Sequence, residues 1–322
     1  MNKIRYDVLV GDCRETLKTL PDESVNTVVT SPPYFGLRDY NQEDQIGLEP
    51  TPEEFVQALV EVFREVRRVL RDDGTVWLNL GDSYAGSGKG RNGDGSPNVD
   101  ENAKQSTSKG TTEGVLKSMK AHQIGLKPKD LIGIPWMVAF ALREDGWYLR
   151  QDIIWSKPNP MPESVTDRCT KAHEYIFLLS KSKSYYFDNE AIKEPTQGRE
   201  RFGNKRSKGD CEQRQDNERR DMTPNWTRNR RSVWTVPPKP FKGAHFATFP
   251  PELIEPCVLA GCPVGGTVLD PFGGSGTTAG VAYRNDRNSI LCELNPEYAE
   301  LVESRIEGII EGKRTLGATL PL

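Results

Sequence analysis

The chain has 322 residues, a formal net charge of −3, 35% apolar residues and 28% charged residues. That length suits one large domain or two ordinary ones, and no stretch approaches the ~18 consecutive apolar residues of a membrane-spanning helix. The N-terminus, MNKIRYDVLVGD, lacks the apolar core and small-residue cleavage site of a signal peptide, so the expected location is cytoplasmic with no membrane partner. The six cysteines form no C-x-x-C pair and are expected to be reduced thiols, with no metal site.

In chain order, IRYDVLVGD (4–12) reads as a strand ending in a turn. DCRETLKTL follows as a helix, with Asp12 as N-cap and Glu15 three residues on, the pattern of a capping box. SVNTVVTSPP is a buried strand stopped by two prolines, neither of which can donate a backbone hydrogen bond. TPEEFVQALVEVFREVRRVL is an amphipathic helix with acids in its first turn and arginines in its last, as the helix dipole favours. DDG is expected to break it before a third strand, TVWLNLGD. This alternation predicts a parallel α/β sheet.

The pattern lapses from 85 to 127, a Gly/Ser/Lys/Asn-rich loop or insertion. A helix, LIGIPWMVAFALRED, and two strands, WYLRQDIIWSK and HEYIFLLSKS, come next, with the Pro-rich PNPMPES between the strands. The chain closes with a helix at PPELIEPCVLAG, a strand at GTVLD, the turn PFGGSGTT, a helix through AGVAYRND, a strand at SILCELN and a last helix, PEYAELVESRIEGII.

Two features carry chemistry. The first is VLDPFGGSGTTAG, a strand, an acid, a glycine turn and a helix. No Lys follows its last glycine, so the turn is not a P-loop. A second strand ends about twenty residues later in Glu293, placed to bind ribose hydroxyls. Together they suit a nucleoside cofactor without a pyrophosphate. The second is a basic stretch from Arg199 to Arg231, with eleven Lys/Arg against six Asp/Glu in a chain that is negative overall. A phosphate backbone attracts such a stretch, and a solvated loop explains it equally well. Trp226 and Trp234 at its end would either stack on DNA or pack in a small core.

SPPY at 31–34 together with DPFGGSGTT at 270–278 resembles the amino-methylating DNA methyltransferases that use S-adenosylmethionine. The catalytic motif precedes the cofactor motif, the permuted order of that family's beta class. The resemblance extends to GDC (11–13), HEYIFLLSKSKSYYFD (173–188) and HFATFPPELIE (245–255), and omits 85–127 and 196–230. It implies a three-layer Rossmann-like methyltransferase sheet with an inserted target-recognition region. The expected domains are a catalytic half at 1–160, a DNA-contact region at 161–240 and a cofactor half at 241–322.

The resemblance makes Ser31, Pro32, Pro33 and Tyr34 the catalytic segment. The Ser31 hydroxyl and the Pro32 carbonyl would accept hydrogen bonds from the target amino group, and the Tyr34 ring would stack on a flipped-out base. The ring, rather than the phenol hydroxyl, is the expected contributor. Cofactor contacts are expected from Asp12, Cys13, Phe249, Pro250, Asp270, Pro271, Phe272, Gly273, Gly274, Ser275, Gly276, Thr277 and Glu293. Within these, Asp12 matches the acid near the adenine amino group, and Phe249 and Pro250 match a segment on the methionine half. Asn159 and Pro160 would lie either beside the base or in a plain loop. DNA contacts are expected from Arg199, Arg201, Lys205, Arg206, Arg228, Arg230 and Arg231.

A Ser before PPY resembles the enzymes that act on cytosine N4, whereas Asp there is more usual for adenine N6, and both targets stay open. Cytosine C5 chemistry needs a Pro-Cys nucleophile, and Cys257 sits in a predicted helix rather than at a strand end. An inactive DNA-binding relative and methylation of RNA or protein are the rival readings. The expected partners are double-stranded DNA and, less directly, a cognate restriction endonuclease; monomer and homodimer are both open.

Overall fold

The computed structural model describes residues 5–37, 40, 42, 44–85, 125–195, 227–238 and 249–317. Most of the insertion expected at 85–127 and most of the basic stretch therefore fall outside the described residues. The elements in chain order are β1 (Tyr6–Val10), α1 (Cys13–Thr16), β2 (Val25–Thr30), α2 (Pro52–Val69), β3 (Leu70–Leu80), α3 (Ile134–Glu144), β4 (Tyr148–Ser156) and β5 (His173–Ser180). There follow β6 (Glu194–Pro195), β7 (Thr227–Arg228), β8 (Val233–Thr235), α4 (Pro251–Gly261), β9 (Thr267–Asp270), α5 (Thr277–Arg284), β10 (Asn288–Glu293), α6 (Pro296–Ala299) and α7 (Val302–Gly317).

Eight strands form one sheet in the order β1-β10-β9-β2-β3-β5-β4-β8, and β6 pairs with β7 apart from it. The strands from β1 to β3 are parallel. β5 is antiparallel to both of its neighbours, and β8 is parallel to β4. The sheet is thus mixed, where the alternation of elements predicts a parallel one. A parallel return from β4 to β5 would need a crossover of a dozen or more residues, usually a helix. The Pro-rich connection at 157–172 forms no helix. The boundary expected at 160/161 also falls between two neighbouring strands of the same sheet, so residues on both sides of it build one layer.

Apolar side chains cover both faces. Phe55, Leu59 and Phe63 of α2 pack with Val138 and Leu142 of α3 on one side. Leu253 and Val258 of α4 and Val281 of α5 pack on the other. α7 adds Val302 and Ile306 against Ala279 and Leu291. The central strand β2 is buried along nearly its whole length, as a strand covered on both faces must be.

Local chemistry explains the boundaries. The Thr51 hydroxyl accepts from Glu54 N at 3.2 Å and Pro52 occupies the first turn of α2. At the other end, the expected break at DDG is absorbed into β3. Val25 pairs with Leu70 but Thr27 pairs with Thr75, so the exposed residues 71–73 bulge out between two paired segments. Asp12 caps α1 through Arg14 N, whereas Glu15 pairs with Lys18 instead of closing a capping box. α1 passes at once into a 3₁₀ turn, Leu17–Thr19. The last predicted helix is two, because Leu301 N bonds back to Tyr298 O, three residues away.

One close approach ties α4 to the sheet. A Cβ on Gly261 would stand 2.6 Å from Thr27 Oγ1 and 2.7 Å from both Thr75 Oγ1 and Trp77 Nε1. Gly261→Ala should therefore cost about 1–3 kcal/mol by overpacking, read as a lowered urea midpoint at unchanged slope.

Candidate active site

A cavity of about 660 Å³ opens at the carboxyl ends of β1, β10, β9, β2, β3 and β4. β9 leads through α5 to β10 on one side, and β2 leads through α2 to β3 on the other. The order of strands reverses between β9 and β2, and ligands of open α/β sheets bind at such a reversal. The cavity has the size of a small-molecule site.

Asp270, at the end of β9, is the clamp across this reversal. Its carboxylate accepts from Thr30 Oγ1 at 2.6 Å, Thr278 Oγ1 at 2.7 Å and Phe272 N at 3.1 Å. These bonds tie β2, α5 and the glycine turn together. Although Asp270 is expected at the cofactor, its carboxylate bonds go to the frame. Burial pushes the group up to about 6, and its three donors only partly offset that.

Glu293 ends β10. Its Oε2 accepts from Gly274 N at 2.7 Å and its Oε1 from Asn295 N at 2.9 Å. Burial raises its pKa as well. Each oxygen keeps a lone pair for a ligand. Asp12, across the cavity, is held by Arg14, with Nε at 2.9 Å and a terminal nitrogen at 2.5 Å from Oδ2. Burial pushes the Asp12 carboxyl up, but the Arg14 hydrogen bonds and charge outweigh it and hold it below the ordinary value.

Pro271, Phe272, Gly273, Gly274, Ser275 and Thr277 line the same cavity with Phe249. Ser275 Oγ is buried with no hydrogen-bond partner among the described residues, which leaves a polar atom free for a ligand. Gly276 is set back as the N-cap of α5 and Pro250 as the N-cap of α4. The Cys13 side chain belongs to the hydrophobic core as much as to the cavity wall. Burial raises its thiol, and raises that of Cys292 to about 11. Cys257 is buried in α4, its thiol also raised.

The SPPY segment forms another wall of the cavity. Ser31, Pro32, Pro33 and Tyr34 all line it. The phenol is engaged: Tyr34 Oη donates to Glu174 Oε2 at 2.6 Å, and Lys157 Nζ pairs with Glu174 Oε1. Asn79 Nδ2 donates to Tyr175 O at 3.0 Å and to Glu174 Oε2 at 3.3 Å. Burial, then the Glu174 charge and hydrogen bond, hold the phenol well above its ordinary pKa, and a hydrogen bond with Ser31 partly opposes them. The ring lies against Gly81, where a Cβ would collide with Tyr34 Cε2. Lys157 also sits 4.2 Å over the Trp155 ring.

Asn79, Trp155, Lys157 and Glu174 are absent from the sequence-based expectations. Only Lys157 and Glu174 carried a local signal, a charge just after the apolar strand DIIWS and another at the head of HEYIFLL; Asn79 and Trp155 carried none. Asn159 and Pro160 do line the cavity.

The expected DNA contacts are only partly described. Arg199, Arg201, Lys205 and Arg206 lie outside the described residues. Arg228 and Arg231 both bond Glu194 Oε1, at 2.8 and 2.7 Å, and Arg230 lies 4.7 Å over the Trp234 ring. Trp234 is core, 5% exposed and tilted against Trp77; Trp226 is outside the described residues. Among the described residues no cluster of His, Cys, Asp or Glu could hold a metal ion, and no helix is long and apolar enough to cross a membrane.

Residues 25–304 match the family model N6_N4_Mtase, described as DNA methylase. The chain belongs to this family of amino-methylating DNA methyltransferases. It is 48% identical to the type II methyltransferase M.Cfr9I of Citrobacter freundii over 92% of this chain and 86% of that one. It is likewise 48% identical to M.SmaI of Serratia marcescens, over 93% and 90%. The fold matches PvuII DNA methyltransferase (cytosine-N4-specific) at a TM-score of 0.60, with 20% identity over 96% of this chain and 94% of that one. It also matches a DNA modification methylase of Thermus thermophilus, TTHA0409, solved with S-adenosyl-L-methionine, at a TM-score of 0.57, with 24% identity over 96% and 97%.

The clamp yields a pH prediction. A carboxyl whose pKa is raised in the fold stabilises it most when protonated. The Asp270 contribution is thus fully present below the ordinary value of 3.8 and is lost as the pH rises through about 6. Asp270→Asn should remove a pH-dependent component on the order of 3 kcal/mol. Urea unfolding of both proteins from pH 4 to 7 checks this: the stability difference between them should change across that window.

Proposed function

We propose that the protein is a DNA methyltransferase that moves the methyl group of S-adenosylmethionine to the N4 amino group of a cytosine flipped out of duplex DNA. The observation that carries this reading is the pairing of two walls in one cavity. The Ser31–Pro32 acceptors at the end of β2 face the glycine turn, Glu293 and Asp12.

The cofactor supplies an electrophilic methyl on a sulfonium. Glu293 suits its ribose hydroxyls, Asp12 its adenine amino group, and Ser275 Oγ supplies a further polar contact. The unpartnered Ser275 hydroxyl and the remaining lone pairs of Glu293 fit this assignment.

The acceptor nitrogen is a poor nucleophile, because its lone pair is delocalised into the base ring. The Ser31 hydroxyl and the Pro32 carbonyl accept hydrogen bonds from it and favour the pyramidal geometry of attack, and the prolines fix where that carbonyl points; the sulfur keeps the electron pair of the broken S–C bond, and the methylated nitrogen then gives up one proton to water. Tyr34 presents its ring to the base, and the Glu174 bond and the Gly81 backbone hold that ring in one orientation. No thiol is required. Cys13 and Cys292 line the cavity, but burial keeps both protonated at neutral pH.

Ser31 at the first motif position supports cytosine over adenine, whose N6 is the alternative target. Residues 161–240 are the proposed target-recognition region, with basic residues on phosphates and polar side chains on base edges. The type II relatives support a paired restriction endonuclease as a partner of the system.

The test is to incubate plasmid DNA with labelled S-adenosylmethionine and identify the modified nucleoside by mass spectrometry. N4-methylcytosine is expected, N6-methyladenine would move the target to adenine, and an unmodified plasmid would overturn the reading. In the same assay, Ser31→Ala should lower the single-turnover rate while leaving cofactor affinity intact, because its acceptor matters most as the amino group changes geometry. Glu293→Ala should do the reverse and weaken cofactor binding in calorimetry by about 1.5–3 kcal/mol, the worth of a charged hydrogen bond.

A further inference from the structure

Met161 is the most exposed large apolar side chain among the described residues, at 87%. A single exposed apolar residue needs no explanation by itself. Its setting does. Met161 lies on the rim of the cavity, next to Asn159, Pro160 and Pro162, which line it too.

The segment that carries it is stiff. Pro158, Pro160 and Pro162 alternate along it, and each fixes its own φ and restricts the residue before it. Both ends are anchored. At the start, Lys157 N donates to Ala172 O at 2.8 Å and Lys157 Nζ pairs with Glu174 beneath Tyr34. At the far end, Glu163 Oε2 accepts from Arg168 at 2.6 Å, and the Arg168 guanidinium stacks 3.9 Å over the Tyr84 ring. An unbranched thioether is thus held out into solvent, at the mouth of the site and one short anchored turn from the wall that receives the base.

Lifting a base out of a duplex costs a few kcal/mol in unpairing and unstacking, and leaves an apolar gap between its neighbours. Methionine and proline side chains are among those that proteins wedge between base steps. A methionine chain is slender, and its sulfur is polarisable against ring edges.

We propose that Met161 enters the duplex and fills the gap left by the target base, with Pro160 and Pro162 holding it at that depth. This rests on the proposed function, since it needs a flipped base. The wedge lowers the cost of the extrahelical state; it does not touch the reacting atoms.

The test compares Met161→Gly and Met161→Leu with the unsubstituted protein in single-turnover methylation at limiting DNA. One duplex carries a paired target, and the other carries an abasic site opposite the target. Met161→Gly should be slowed about tenfold on the paired duplex, a fraction of the flipping cost, and should come within about twofold of the unsubstituted protein on the abasic duplex. Met161→Leu should keep most of the rate on both. A fluorescent base analogue at the paired target should report less flipping by Met161→Gly, at unchanged cofactor affinity. An equal loss on both duplexes, or no loss on either, overturns the wedge and leaves the proposed function standing. If the unsubstituted protein methylates neither duplex, the proposed function falls and the wedge with it.

Discussion

The carboxylate of Asp270 holds the site together. SPPY and DPFGGSG are some 240 residues apart, and each closes a strand that could end anywhere along the sheet edge. The bonds from Thr30 and Thr278 to one buried acid bring the ends of β2 and β9 to the same level and seat α5 behind them. Burying a carboxylate is expensive unless donors replace its water, and this one has three. The result is a crevice at the strand-order reversal, with the glycine turn on one lip and Pro32 and Pro33 on the other. Under the proposed function rigidity there would serve the chemistry, because acceptors for the amino group must be in place before the methyl group moves.

The reversed strand completes the site. β5 runs against its neighbours, so its N-terminal end lies where β3 and β4 end. That is what brings Glu174, at the head of β5, to the cavity. There it joins Tyr34, Asn79 and Lys157 in a network that spans four elements of the chain. The Lys157–Glu174 pair is only partly buried, and taking even part of an ion pair out of water is costly, so removing one partner leaves the other poorly compensated. Such a network contributes more to a single geometry than to stability. It fixes the face of Tyr34 toward the space where a base would lie.

Charge on the outer loops is arranged differently. Arg228 and Arg231 share the Glu194 carboxylate just upstream of the basic stretch. Exposed pairs of this kind are worth little to stability, and they can exchange one anionic partner for another at small cost. A phosphate would have to compete with Glu194 for both arginines. Counting charge along the chain from Arg199 misses this, since the compensating acid lies five residues before the count begins.

The sequence by itself determined whatever depends on neighbouring residues. The amphipathic stripe and caps of α2, the buried run of β2, the proline stop after it and the glycine turn after β9 all follow from local sterics and hydrogen bonding. SPPY and DPFGGSGTT were recognisable for the same reason: each motif is contiguous, because each is a turn that closes one strand end. Only the tertiary structure decided the rest. That DDG would bulge within a strand rather than separate a helix from one depended on pairing with β2. Trp234 became core because Trp77 was there to meet it. Glu174, Lys157 and Asn79 looked like ordinary charged and polar residues beside strands, and nothing in their spacing linked them to Tyr34. Their role arises from the reversed direction of β5, and a strand's direction is set by how its connection packs against the sheet. The Asp270 bonds had the same origin in part: Thr278 lies within its own motif, but Thr30, 240 residues away in the chain, reaches this cavity-lining acid only through the fold.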